Sequence, residues 1–218
     1  MARIFDRNIF IMLLAVMIGV VIITYFIADI VNRSTIETLT EKHTQEIETI
    51  EEKNINFTNH FLQSSLVLDT AREDRSYGDY HFDLARIFYT NGEYQRVIDN
   101  CTSAMEKYLN GNYNFDLSSD FFDKTKLYTN HDQYLDMLDI YVGLTRSGAR
   151  LCMLRYNASM YLKLLAENMS LGGDSGNISY LMELFNMTMS EYEQELDNYN
   201  ELKEQLDEYQ FFQEIREL

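Results

Sequence analysis

The chain has 218 residues, with 35 acids against 18 lysines and arginines, a net charge of −17 and no proline. That charge repels a phosphate backbone and excludes nucleic acid as a partner. A hydrophobic content of 46% excludes wholesale disorder. Without proline the commonest helix breaker is missing, and 16 tyrosines and 11 methionines suit irregular helix-helix contacts, so an all-α fold is expected.

Residues 9–30 (IFIMLLAVMIGVVIITYFIADI) are apolar apart from Thr24, Asp29 and the ring hydroxyl of Tyr25. At a rise of ~1.5 Å per residue the run spans a hydrocarbon core of ~30 Å. It is longer than the apolar core of a cleaved signal peptide and lacks a small-x-small cleavage site, which favours a retained anchor in contact with lipid. Arg3 and Arg7 precede the span and Asp29 closes it. By the positive-inside rule residues 1–8 are a cytoplasmic tail, and residues 31–218 lie outside the cytoplasm on a single-pass cell-membrane protein.

Seven Asn-X-Ser/Thr sequons occur where composition alone gives about two. Asn32 is too close to the span for an enzyme to reach. Asn56, Asn100, Asn157, Asn168, Asn177 and Asn186 remain as candidate glycosylation acceptors in an extracytoplasmic domain. Cys101 and Cys152 would lie in the same disulfide-permitting space, either bridged to each other or as two buried thiols.

Residues 31–75 read as a membrane-proximal helical stalk, with Ile36, Leu39, His43, Ile47 and Ile50 recurring at three and four residues. So thin a stripe needs a partner helix, from this chain or from a second copy. AREDRSYGD at 71–79 breaks the pattern, and residues 76–218 form the main domain. Within it, residues 110–132 read as a loop, and 132–168 as a helix weakened at Gly143 and Gly148. SLGGDSGN at 170–177 reads as a sharp turn, and 178–218 as a long amphipathic helix. That last helix either packs on its own domain or self-associates as a coiled coil, although its excess of acids opposes self-pairing.

Between these segments stands FDLARIFYTNGEYQRVIDNCTSAMEKY, residues 82–108. Leu84, Ala85, Phe88 and Tyr89 share one helix face. Asn91-Gly92 supplies a terminator tolerant of positive φ, and Tyr94, Ile98, Cys101, Ala104 and Met105 form a facing stripe. With Gly92-Glu93-Tyr94 at its turn, the segment 78–110 resembles a tetratricopeptide repeat. His81, Val97 and Leu109 depart from that family's Trp, Ala and Pro preferences, and residues 44–77 and 112–145 give only weak echoes of the period. The resemblance implies either an array of helical hairpins or a single hairpin within a bundle. Its implied role is to bind a protein or peptide.

Catalytic motifs are scarce. Gly173-Asp174-Ser175-Gly176 echoes the nucleophile motif of chymotrypsin-like proteases, but it falls between helices instead of strands. His43, His60, His81 and His131 have no metal-ligand spacing, and Asp79, His81 and Asp83 read as capping acids at a helix start. The expectation is a non-enzymatic chain without cofactor or metal, acting as an anchored interaction or scaffold module. The alternative is a sensory or ligand-binding helical bundle.

Overall fold

A computed structural model describes the backbone of residues 2–209 and the side chains of residues 17 and 19–209. The described residues hold four α-helices and no strand: α1 (Ala2–Thr90), α2 (Tyr94–Thr125), α3 (Asp132–Ser170) and α4 (Ser175–Asp207). A single 3-10 turn, Lys126–Tyr128, lies between α2 and α3. The fold is all-α, as the composition requires. Residues 210–218, the end of the expected last helix, lie outside the described residues.

The chain divides into two units, Met1–Glu52 and Lys53–Leu218, and α1 contributes to both. In the first unit α1 is long and apolar enough to cross a membrane, judged by length and composition. Val20, Val21, Ile23, Phe26, Ile27 and Ile30 are each at least 57% exposed, unlike the residues of a buried core helix. The Thr24 hydroxyl is satisfied within the helix by donating to Val20 O at 2.8 Å. Beyond the apolar run, Ile36, Leu39, Ile47 and Ile50 stand exposed beside the ion pair of Lys42 with Glu46.

The second unit is a closed four-helix bundle of residues 53–90 of α1 with α2, α3 and α4. Ser118 of α2 donates to Ser64 O, Lys107 pairs with Asp74, and His81 meets Asn100, so α1 and α2 run antiparallel. Phe122 stacks on Tyr141 at 4.5 Å and Phe115 covers Gly148, which sets α3 antiparallel to α2. Gly143 faces Leu202, and Arg155 faces Met189 and Tyr192, which sets α4 antiparallel to α3. Arg75 lies over Tyr199 and Phe82 stacks on Phe185, closing the ring between α4 and α1. The topology is up-down-up-down, and α1 also meets α3 directly, with the Phe61 ring edge-on to Tyr141 at 5.5 Å.

Two breaks expected from the sequence are absent. Residues 71–79 do not break a helix: α1 runs through them, with Ala71 and Gly78 buried and Asp74 between them bonded to Lys107 and Asn114 of α2. Residues 110–125 are not a loop but the second half of α2. Its inward positions there are Gly111, Phe115, Ser118, Ser119, Phe122 and Thr125. Small and hydroxylated residues fill most of the core face, so the apolar periodicity is absent while the close helix approach is not. A Cβ on Gly111 would come within 3.1 Å of Cys152 Sγ.

The stalk is shorter than 31–75, because residues 53–75 belong to the bundle and bury Ser64, Leu68 and Ala71. Gly143 and Gly148 do not split α3, which is continuous. Both turn readings hold in their conformation. Gly92 has φ +75°, and the amides of Gly92 and Glu93 bond back to Tyr89 O and Phe88 O. Gly172 has φ +67°, and Gly172 and Gly173 repeat the pattern onto Met169 O and Asn168 O. Each pair of bonds is a Schellman motif that satisfies terminal carbonyls.

Candidate functional site

The bundle carries a half-open groove of about 710 Å³. Its walls are Ser65, Leu68, Asp69, Arg72 and Arg75 from α1, and Tyr199, Asn200, Lys203, Leu206 and Asp207 from α4, with Tyr141 of α3 reaching in. The 3-4 alternation of α1 places Leu68, Arg72 and Arg75 on successive turns of one face. The same alternation puts Tyr199, Lys203 and Leu206 opposite them on α4.

Three cations meet here in a chain with twice as many acids as bases. Arg72 pairs with Asp69 on its own helix at 3.3 Å. Arg75 has its guanidinium carbon 4.7 Å from the Tyr199 ring centroid, and its Nη1 is buried with no hydrogen-bond partner. Neither Arg75 nor Lys203 makes an ion pair among the described residues. Burial pushes the Tyr141 hydroxyl up to about 12 against the opposing pull of Arg72, so it stays protonated at neutral pH. Leu68, Leu206 and Tyr199 are buried and give the groove an apolar floor. The arrangement offers charge-assisted hydrogen bonds above an apolar surface, the makeup of a small-ligand site.

The remaining buried polar groups hold the bundle together. Tyr108 donates to Asp79 Oδ1 at 2.7 Å, and the Arg155 guanidinium lies 4.6 Å from the Phe82 ring and 4.0 Å from the Tyr192 ring. Burial works against the Arg155 charge, but Tyr192, Tyr108 and Asp79 more than offset it and its pKa is raised. Glu195 accepts from Ser147 and from Asn198 and pairs with Arg150 at 3.2 Å. Most of these groups are hydrogen-bonded, while Arg155 Nε is buried without a hydrogen bond and faces Asp79 Oδ1 at 3.7 Å.

The residues expected from sequence fall as follows. Ala85 and Ala104 are buried, and Leu84, Phe88, Tyr89, Tyr94 and Ile98 are half-buried around the Gly92 turn, with the Tyr89 and Tyr94 rings 6.3 Å apart. The hairpin is therefore present as the tip of two longer helices. Cys101 and Cys152 are both free and buried, which is the unbridged alternative. Of the candidate acceptors, Asn177 and Asn186 are exposed and Asn56 is half-buried. Asn100 and Asn168 donate their amides to Arg96 O and Leu164 O. Asn157 is half-buried, and Ala158 and Ser159 of its sequon are buried.

Asp174 caps α4 by accepting from Asn177 N, which gives the protease-like Gly173–Gly176 stretch a structural role. Asp79, His81 and Asp83 lie inside α1 and cap nothing: Asp79 serves Tyr108, His81 serves Asn100, and Asp83 lies 4.0 Å from Arg86. No metal-binding cluster occurs among the described residues. Sequence reading missed the groove. Its residues are ordinary amphipathic-helix residues about 130 positions apart in the chain, and only the α1–α4 closure unites them. The chain matches no protein-family model, no curated protein and no solved structure.

Proposed function

We propose that the chain is a single-pass, membrane-anchored recognition protein whose four-helix bundle is held outside the cytoplasm and binds its target in the α1–α4 groove. The observation that carries this reading is the convergence of Arg72, Arg75, Lys203 and Asn200 from two helices onto one groove with an apolar floor. Exposed apolar side chains along α1 from Val20 to Ile30 support the anchor, and the basic residues before it support the orientation. The closed bundle leaves no concave repeat surface. It therefore favours the ligand-binding version of the function over a repeat scaffold. Binding without chemistry fits the lack of a nucleophile-base pair or general-acid dyad lining the groove.

A photo-crosslinking residue placed at Asn200 in the full-length chain, in its native membrane, tests the reading. The expected outcome is a covalent adduct at position 200 and none at Tyr180, which is exposed on α4 outside the groove. Equal adducts at both positions, or an adduct at 180 alone, would remove the groove as the recognition surface.

A further inference from the structure

Resting on the reading of the α1–α4 groove as the binding site, we infer that its ligand is a small organic carboxylate with an apolar body. Four observations lead there. First, Arg75 and Lys203 come from opposite walls, and neither has a carboxylate partner among the described residues. In a chain of 35 acids, two cations without an ion-pair partner on opposite walls of one groove offer a place for an anion from outside. Second, Arg75 Nη1 is buried and unbonded, a donor whose desolvation is left uncompensated until an acceptor arrives.

Third, Asn200 lines the groove beside Lys203 and supplies an uncharged amide donor next to the cationic pair. Fourth, the volume of about 710 Å³ far exceeds what one carboxylate occupies, and the rest of the wall is Leu68, Leu206, Tyr141 and Tyr199. Those side chains select for a hydrocarbon or aromatic body behind the acid group. With Asp69 and Asp207 on the same walls as Arg72, Arg75 and Lys203, the lining carries a formal charge of only +1, which suits a single carboxylate better than a doubly charged phosphate.

The test is calorimetric titration of the full-length chain in detergent with benzoate, 3-phenylpropionate, hexanoate, acetate and inorganic phosphate. The expected order places the aromatic and longer aliphatic acids well ahead of acetate, with phosphate weakest. Lys203→Glu is predicted to weaken 3-phenylpropionate at least about tenfold, and Lys203→Arg to retain it. Lys53→Glu makes the same change of charge at an exposed bundle position outside the groove. It should leave affinity within about twofold. Lys203 is exposed, so these variants fold as the parent does, and a thermal melt checks it.

Phosphate binding more tightly than every carboxylate overturns the inference, as does an equal effect of Lys53→Glu and Lys203→Glu. Binding of an acidic peptide with no response to any small carboxylate also overturns it. A neutral or cationic compound that binds and is lost on Lys203 or Leu206 substitution would keep the groove as a binding site while rejecting the carboxylate. Failure of this inference is thus separable from failure of the recognition role.

Discussion

The hydroxyl of Tyr108 on α2 donates to Asp79 Oδ1 on α1 at 2.7 Å, and the Tyr108 ring lies where a Cβ on Gly78 would stand. One side chain thus sets both the polar register and the spacing of the two helices. The same carboxylate faces Arg155 of α3 at 3.7 Å, so the contact ties three helices at one level.

Tyr108→Phe removes the donor and leaves Asp79 half-buried beside Arg155. The expected loss is about 1–3 kcal/mol of unfolding free energy, seen in urea titration as a lower midpoint with an unchanged slope. Gly78→Ala places a Cβ 2.7 Å from the Tyr108 ring and should cost a similar amount through overpacking, about 1–3 kcal/mol.

Burial pushes the thiols of Cys101 and Cys152 up to about 12 and raises the Tyr108 hydroxyl above its ordinary range. Each group has a folded pKa above its unfolded one, so unfolding at high pH releases protons. The stability they contribute is full below the unfolded thiol pKa, about 8.5, and is lost as pH rises towards 12. Melts between pH 8 and pH 11 should show a falling midpoint. A midpoint that stays flat to pH 11 would contradict the burial of these groups.

Two glycines of α3 predict opposite behaviour. A Cβ on Gly148 would lie 2.5 Å from Phe115, whereas one on Gly143 meets only Leu202 methyl carbons, the nearer at 3.4 Å. Gly148→Ala should destabilise by about 1–3 kcal/mol, and Gly143→Ala should stabilise by up to about 1 kcal/mol through helix propensity. Paired denaturation curves decide it.

At the hairpin tip Gly92 sits at φ +75° with open space where a Cβ would go. Gly92→Ala should therefore cost about 1 kcal/mol from backbone conformation alone, and Gly92→Asn less, because asparagine tolerates that region better. Thermal melts of the two variants give the ranking.

The turns and the long apolar stripes were legible because Gly92 and Gly172 supply the positive φ their turns need, and because α4 alternates Tyr192, Leu196, Tyr199 and Leu202 at helical spacing. The second half of α2 was not legible. Gly111, Ser118, Ser119 and Thr125 make its core face from residues that read as loop formers in isolation. Ser118 hides its polarity by donating to Ser64 O, a partner fixed only by tertiary packing. The groove was illegible for the same reason: Arg75 and Lys203 gain meaning only from facing one another across α1 and α4.

The central claim is that this groove opens to the extracytoplasmic side of a membrane. Asn200→Cys tests it most directly, because position 200 is exposed in the groove while Cys101 and Cys152 are buried and unreactive. A membrane-impermeant maleimide applied to intact cells should label the variant as fully as it labels lysed cells, and leave the parent chain unlabelled. Labelling that appears only after lysis would place the bundle in the cytoplasm and contradict the account.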